Sequence, residues 1–172
     1  MEIAIPGFHL PMTAASGQCF RFDKLEDGAF SLIAHGRQLL IHDLGSGAFE
    51  LSCTNEEFES LWRGYFDLDR DYHQVHGLVA PDGSYLHRAV EFAKGVRILR
   101  QQPFETLIAF IISQRKNIPA IKACVSQLSR RFGQEISPGA HAFPTPAVLA
   151  AADDAELAAC GLGYRVKYVK QT

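Results

Sequence analysis

Hydrophobic and polar positions change their period once along the chain. From Glu2 to about Cys53 the apolar residues come in short runs: Phe20-Arg21-Phe22, Ala29-Phe30-Ser31-Leu32-Ile33, Gln38-Leu39-Leu40-Ile41-His42 and Ala48-Phe49-Glu50-Leu51-Ser52. Turn formers separate them, as Glu26-Asp27-Gly28, His35-Gly36-Arg37 and Gly45-Ser46-Gly47. Short β-rich runs parted by glycine-containing turns predict hairpins, so this stretch reads as an antiparallel meander. At Thr54 the period becomes helical. Thr54-Asn55-Glu56-Glu57 has the form of a capping box, and Phe58, Leu61, Trp62 and Tyr65 recur at helix spacing behind it. Helices are predicted over Glu56–Tyr65, Asp71–Leu78, Ser84–Phe92, Phe104–Gln114, Ile118–Phe132, Ala147–Ala151 and Asp154–Ala159. Asn117-Ile118-Pro119 and Thr145-Pro146 supply a cap followed by proline in the first turn, and Gly133 and Gly161 fall where C′ glycines belong. The expected class is α+β.

One predicted helix has no polar side. Pro103-Phe104-Glu105-Thr106 opens it, and Leu107 to Ile112 is apolar on every face. A helix patterned this way is expected to be wrapped by other elements. It ends in Ser113-Gln114-Arg115-Lys116-Asn117, a polar and basic loop leading into the next helix. A buried rod that surfaces as a basic loop holds that loop rigidly.

Composition adds less than distribution does. Apolar content of 47% and charged content of 21% are ordinary for a globular chain, and a net charge of −2 announces no polyanion partner. The charges are segregated, however. Acids crowd the first half, whereas Lys94 to Arg131 carries eight Lys and Arg against Glu105 alone, and Arg165, Lys167 and Lys170 follow near the end. Such asymmetry fits a polyanion-facing side and equally a solvated basic helix face. Cys19, Cys53, Cys124 and Cys160 form no C-x-x-C pair and read as reduced thiols, giving an expected cytoplasmic location. The Met-Glu-Ile-Ala-Ile-Pro start lacks a signal-peptide pattern, and no apolar run approaches the ~20 residues of a membrane span.

Most chemical motifs fail on inspection. Asp67-Leu68-Asp69-Arg70-Asp71 opens like a calcium loop, but Tyr72 stands where glycine is needed and Leu78 where glutamate is needed. Its aspartates are expected to cap the next helix and solvate a turn. His73 and His76 share a helix face without the further ligands of a closed metal set, and no phosphate loop, dinucleotide fingerprint or G-x-S-x-G occurs. No metal or cofactor is expected. Ser16-Gly17-Gln18-Cys19-Phe20-Arg21-Phe22 reads, from the residues alone, as a lead-in to a strand. Gly161-Leu162-Gly163-Tyr164-Arg165 fits an aromatic wedge beside a phosphate or base contact, and equally a helix cap leading into another helix.

Taken in order, several of these segments resemble the 8-oxoguanine DNA glycosylase family. They are Ser16-Gly17-Gln18-Cys19-Phe20-Arg21, Tyr65-Phe66-Asp67-Leu68-Asp69-Arg70-Asp71-Tyr72, Gln102 to Gln114, Phe143-Pro144-Thr145-Pro146 and Gly161-Leu162-Gly163-Tyr164-Arg165. The resemblance implies a twisted antiparallel β-sheet lobe followed by the first part of an all-α helix-hairpin-helix glycosylase domain, divided at residues 1–95 and 96–172. It implies base-excision repair of 8-oxoguanine in duplex DNA, by an N-glycosylase with associated lyase chemistry. Gly17 matches the position whose main-chain carbonyl meets the N7–H of the oxidised base. Tyr164 matches a wedge into the base stack, Arg165 a reader of the estranged cytosine, and Arg115, Lys116 and Asn117 the segment that fills the gap left by the flipped nucleotide.

The chain departs from the family pattern in three places. Many relatives carry consecutive asparagines at Arg115-Lys116-Asn117, and a second cytosine-reading arginine falls at Ala120. The family's Schiff-base lysine and its aspartate belong to a helix-hairpin-helix expected after Tyr168-Val169-Lys170, and neither Lys167 nor Lys170 stands in such a motif. The expectation is therefore a C-terminally shortened chain that carries recognition elements and does not excise. The alternative expectation is a non-catalytic DNA-binding module or partial gene product.

Overall fold

The computed structural model describes residues 1–172. Its five-stranded antiparallel sheet comprises β1 (Glu2–Ala4), β2 (Phe22–Lys24), β3 (Phe30–Ala34), β4 (Arg37–Gly45) and β5 (Ala48–Leu51), in the order β1-β5-β4-β3-β2. Strand β3 alternates strictly, burying Phe30, Leu32 and Ala34 and leaving Ser31 and Ile33 partly covered. The expected meander holds for β2 to β5. It fails for β1, which pairs with β5 through Glu2↔Glu50 and Ile3↔Phe49. A helix that the sequence pattern does not announce, α1 (Leu10–Ala15), intervenes. Its cap is His9, whose Nδ1 accepts the Met12 N–H at 3.3 Å, so the usual Ser, Thr, Asp or Asn signal is missing.

The chain divides into two compact units. The first comprises Met1–Cys19, Asp27–Ala29 and Ile41–Arg100. Here Thr54 caps α2 (Asn55–Glu57) by accepting the Glu57 N–H at 3.2 Å, and a π-turn over Phe58–Trp62 leads into α3 (Arg63–Tyr65). That run buries Phe58, Trp62 and Tyr65, and Phe66 follows at once. Phe8 stands 5.5 Å from Phe49 and 5.4 Å from Phe66, ring centre to ring centre, in the edge-on and tilted arrangements that aromatic quadrupoles favour. The buried indole N–H of Trp62 donates to Glu57 Oε1 at 2.9 Å, so its polar edge is satisfied. Helices α4 (Tyr72–His76) and α5 (Tyr85–Phe92) complete this unit, capped by Asp71 and Ser84.

The second unit comprises Phe20–Glu26, Phe30–Leu40 and Gln101–Thr172. Helices α6 (Pro103–Ser113) and α7 (Ile118–Phe132) build its core with α8 (Pro146–Ala151), α9 (Asp154–Leu157) and α10 (Val166–Gln171). Ile108, Ile112, Ile121, Val125, Leu128, Leu157, Leu162 and Val169 are buried together. Asn117 and Thr145 cap α7 and α8 as their positions before proline predict. The chain beyond Thr54 is not wholly helical: β6 (Glu135–Ser137) and β7 (Ala140–His141) form a small hairpin around Gly139.

Two expectations are corrected here. Helix α6 is not wrapped, because α7 and α10 pack on one side and leave Leu107 45% and Phe110 65% exposed. Gly133 does not end α7 in a left-handed residue, since its φ is −86°. Glycine is required there for space: a Cβ would stand 1.9 Å from the Ala142 carbonyl oxygen. No helix is long and apolar enough to cross a membrane.

Candidate nucleic-acid interface

Gly17 sits in an exposed loop after α1, with φ +79° and nothing within 4 Å of the place a Cβ would occupy. Left-handed backbone and open space belong together here, since any other residue would be strained and would block the approach. The loop is pinned by its neighbour. Gln18 Nε2 donates to Ser16 Oγ at 3.0 Å and to the Arg97 carbonyl at 2.9 Å, while Gln18 Oε1 accepts the Leu99 N–H at 2.9 Å.

The segment that Gln18 grips is itself braced. Ile98 N–H donates to the Tyr72 hydroxyl at 2.9 Å, and that hydroxyl donates to Asp67 Oδ2 at 3.0 Å. Arg100 Nε and Nη2 both reach Asp67 Oδ1, at 2.8 and 2.5 Å, and Arg70 Nε reaches Oδ2 at 2.7 Å. Asp67 is therefore a buried brace, 3% exposed, and not the turn-solvating aspartate expected; Asp71 does cap α4. Burial pushes the Asp67 carboxyl up. The hydrogen bonds from Arg100 and Tyr72, with the charges of Arg100 and Arg70, outweigh that and hold it below the ordinary carboxylate value.

In the second unit the basic loop after α6 meets the Gly161–Arg165 turn. Lys116 Nζ donates to the Gly161 carbonyl at 2.5 Å and lies 2.8 Å from Cys124 Sγ, so its charge is spent on an internal strut. Gly161 has φ +79°, and a Cβ there would meet Cys124 Sγ at 3.1 Å, so the strut depends on glycine twice over. Arg165, 5% exposed, donates to the carbonyls of Gln114 and Leu162. Asn117 Oδ1 accepts the Ala120 N–H at 3.0 Å as the α7 cap. Two residues remain outward. Arg115 is exposed and left-handed at φ +55°, and Tyr164 is 60% exposed with the Arg165 guanidinium 4.4 Å from its ring centre. Beside Tyr164 an apolar hollow of about 430 Å³ is lined by Phe110, Ile111, Tyr168 and Gln171.

Sequence reasoning gave Gln18, Asp67 and Tyr72 no role in presenting Gly17, although all three lie in the segments that carry the resemblance. It also passed over Arg21, which forks onto both oxygens of Glu105 at 2.7 and 2.6 Å and donates to the His141 carbonyl at 2.8 Å. This ties the lead into β2 to the first turn of α6. No group of three His, Cys, Asp or Glu side chains is placed to hold a metal ion.

Comparison with known proteins fixes what this arrangement descends from. Residues 2–107 match the family model described as 8-oxoguanine DNA glycosylase, N-terminal domain, and residues 108–172 match the HhH-GPD superfamily of base excision DNA repair proteins. The chain belongs to the 8-oxoguanine DNA glycosylase family. MBOgg1, solved in complex with a low-affinity DNA ligand, superposes with a TM-score of 0.90 at 35% identity, over 98% of this chain and 60% of that one. The Clostridium acetobutylicum 8-oxoguanine glycosylase/lyase, in its apo form, gives 0.88 at 36% identity, over 96% and 59%. The N-glycosylase/DNA lyase of Saccharomyces cerevisiae is 42% identical over 130 residues, which is 70% of this chain and 33% of the yeast protein. The chain thus spans a third of that relative and about 60% of those solved structures.

Proposed function

We propose that this chain is the lesion-recognition part of a base-excision enzyme acting on 8-oxoguanine in duplex DNA, with Gly17 presenting its carbonyl to the N7–H of the oxidised base. Unmodified guanine carries a lone pair at N7, so the same carbonyl would face repulsion and one lost hydrogen bond. The observation that carries this reading is the braced Gly17 loop, open above the backbone and immobilised below it by Gln18. A carbonyl held in place discriminates one proton; a mobile one would reorient. In the second unit, Arg115 supplies phosphate or base contact and Tyr164 the wedge, while Lys116, Asn117 and Arg165 hold the turn that carries them. The four free cysteines fit a reducing compartment shared with DNA.

The lysine-based excision that the resemblance implies needs an activated amine, and neither lysine of α10 stands in that setting. Lys170 is paired with Asp154 at 2.7 Å, and Lys167 lies 4.8 Å from the ring centre of Tyr168 on α10. The 172-residue chain is expected to retain an 8-oxoguanine duplex in a salt-dependent manner and to form no covalent adduct with it under borohydride. A trapped adduct would overturn the division into recognition and chemistry. Absence of retention at low salt would overturn the recognition reading itself.

A further inference from the structure

A second cavity, of about 340 Å³, lies wholly within the first unit and shares Arg70, Tyr72 and Arg97 with the brace beneath the Gly17 loop. His9, Arg70, His73, His76, Lys94 and Arg97 line it, and Asp71 is the single acid among its walls. That acid is engaged: Asp71 Oδ1 accepts the His73 N–H at 2.9 Å and Oδ2 accepts from Gln74 Nε2 at 3.0 Å. Lys94 reaches Glu91, outside the walls, at 2.6 Å, and the two arginines keep spare capacity. Arg70 and Arg100 share one carboxylate, Asp67, so that cluster carries excess positive charge. Arg97 lays its guanidinium over Tyr72 at 4.5 Å, and its buried Nε has no hydrogen-bond partner. A guanidinium held flat on an aromatic ring is pre-organised for a planar or forked acceptor. His9 Nδ1 accepts the Met12 N–H, so the neutral ring carries its proton on Nε2 and can donate from there.

We propose that this cavity binds a phosphate ester. Three cations from two segments, Arg70 and the Lys94-to-Arg97 stretch, converge on one space, which suits an anion with several acceptor oxygens better than a carboxylate that one arginine satisfies. The volume exceeds one phosphate and lies within the ~300–1,000 Å³ range of small-ligand sites. The phosphate comes either from a DNA backbone or from a free phosphorylated metabolite such as a nucleoside monophosphate, and the two sources separate experimentally.

The test is a titration of inorganic phosphate into the full 172-residue chain, with chloride balancing the ionic strength, following the imidazole resonances of His73 and His76. Saturable shifts are expected. Lys94→Glu and His73→Ala alter exposed side chains, so the fold survives, and the charge reversal is expected to weaken phosphate about tenfold. Shifts that rise linearly without saturation, or an unchanged midpoint in Lys94→Glu, would overturn the site. A nucleoside monophosphate binding more tightly than phosphate, with duplex retention unaffected by Lys94→Glu, assigns the free ligand. Lower duplex retention in Lys94→Glu, with phosphate as competitor, assigns the DNA backbone. Lys94 pairs with Glu91 rather than with the Gly17 brace, so loss of phosphate binding in Lys94→Glu leaves the glycosylase reading standing; Arg115 lies in the other unit, so unaltered duplex retention in Arg115→Gly leaves this site standing.

Discussion

The loop around Gly17 and the loop around Arg115 are each pinned by a long polar side chain, but the pins differ in charge. Gln18 is a neutral amide that donates to the Arg97 carbonyl and accepts from the Leu99 N–H, closing both halves of its hydrogen-bonding capacity. Lys116 and Arg165 are cations that reach only carbonyls and a thiol, at Gly161, Cys124, Gln114 and Leu162. The first loop is thereby left to expose backbone. The second exposes what remains of a basic cluster after two of its charges have been turned inward. A basic sequence is thus a poor measure of basic surface: charge can be structural, and here the outward share falls to Arg115.

The two loops differ most at Arg165. If it is a strut, Arg165→Met removes the donors from two carbonyls at a buried position and costs about 3 kcal/mol in urea unfolding. An unchanged unfolding midpoint with lost duplex retention would instead make Arg165 a DNA contact. Gln18→Ala is expected to cost about 2 kcal/mol and to speed amide exchange at Leu99, because that N–H loses its acceptor. Lys116→Met keeps the length of the side chain and loses the Gly161 contact, for about 1 kcal/mol. Should Gln18→Ala leave Leu99 exchange unchanged, the neutral pin is not what holds the first loop.

Acid titration sharpens the difference between the two braces. Asp67 unfolded titrates at ~3.9, and in the fold its carboxyl is held lower. Between those values the unfolded chain binds more protons, so acidification favours unfolding. The contribution is complete above the unfolded value and is lost as pH falls through the folded one. Asp67→Asn is expected to lower stability at neutral pH and to flatten the acid limb of the stability profile. An acid limb as steep in Asp67→Asn as in the parent chain would place the sensitive carboxylate elsewhere.

What was legible in the sequence was local. Thr54, Asn117 and Thr145 are caps that bond donors three residues away, so the pattern contains the whole interaction. Gln18 and Lys116 bond carbonyls 79 and 45 residues distant, and nothing in their neighbourhoods marks them as struts. Helix α6 misled for a related reason: an all-apolar pattern says that burial is favourable, not that a partner is present to provide it. The ordered motifs still located the loops, because Gly17 and Gly161 need backbone conformations that other residues resist.

Arg115 offers the smallest effect and the cleanest separation of fold from contact. It is a non-glycine residue at φ +55°, held left-handed by the loop although its side chain is exposed. Arg115→Gly removes the Cβ that opposes this conformation. It also frees the unfolded chain, so the net gain is expected at about 0.5 kcal/mol. The same substitution deletes the outward cation. Duplex retention should fall, and the dependence of log affinity on log salt should lessen by about 1 if Arg115 neutralises one phosphate. Higher stability with weaker, less salt-sensitive retention identifies a residue kept strained for contact. Higher stability with unaltered retention would show instead that the exposed arginine reaches no DNA.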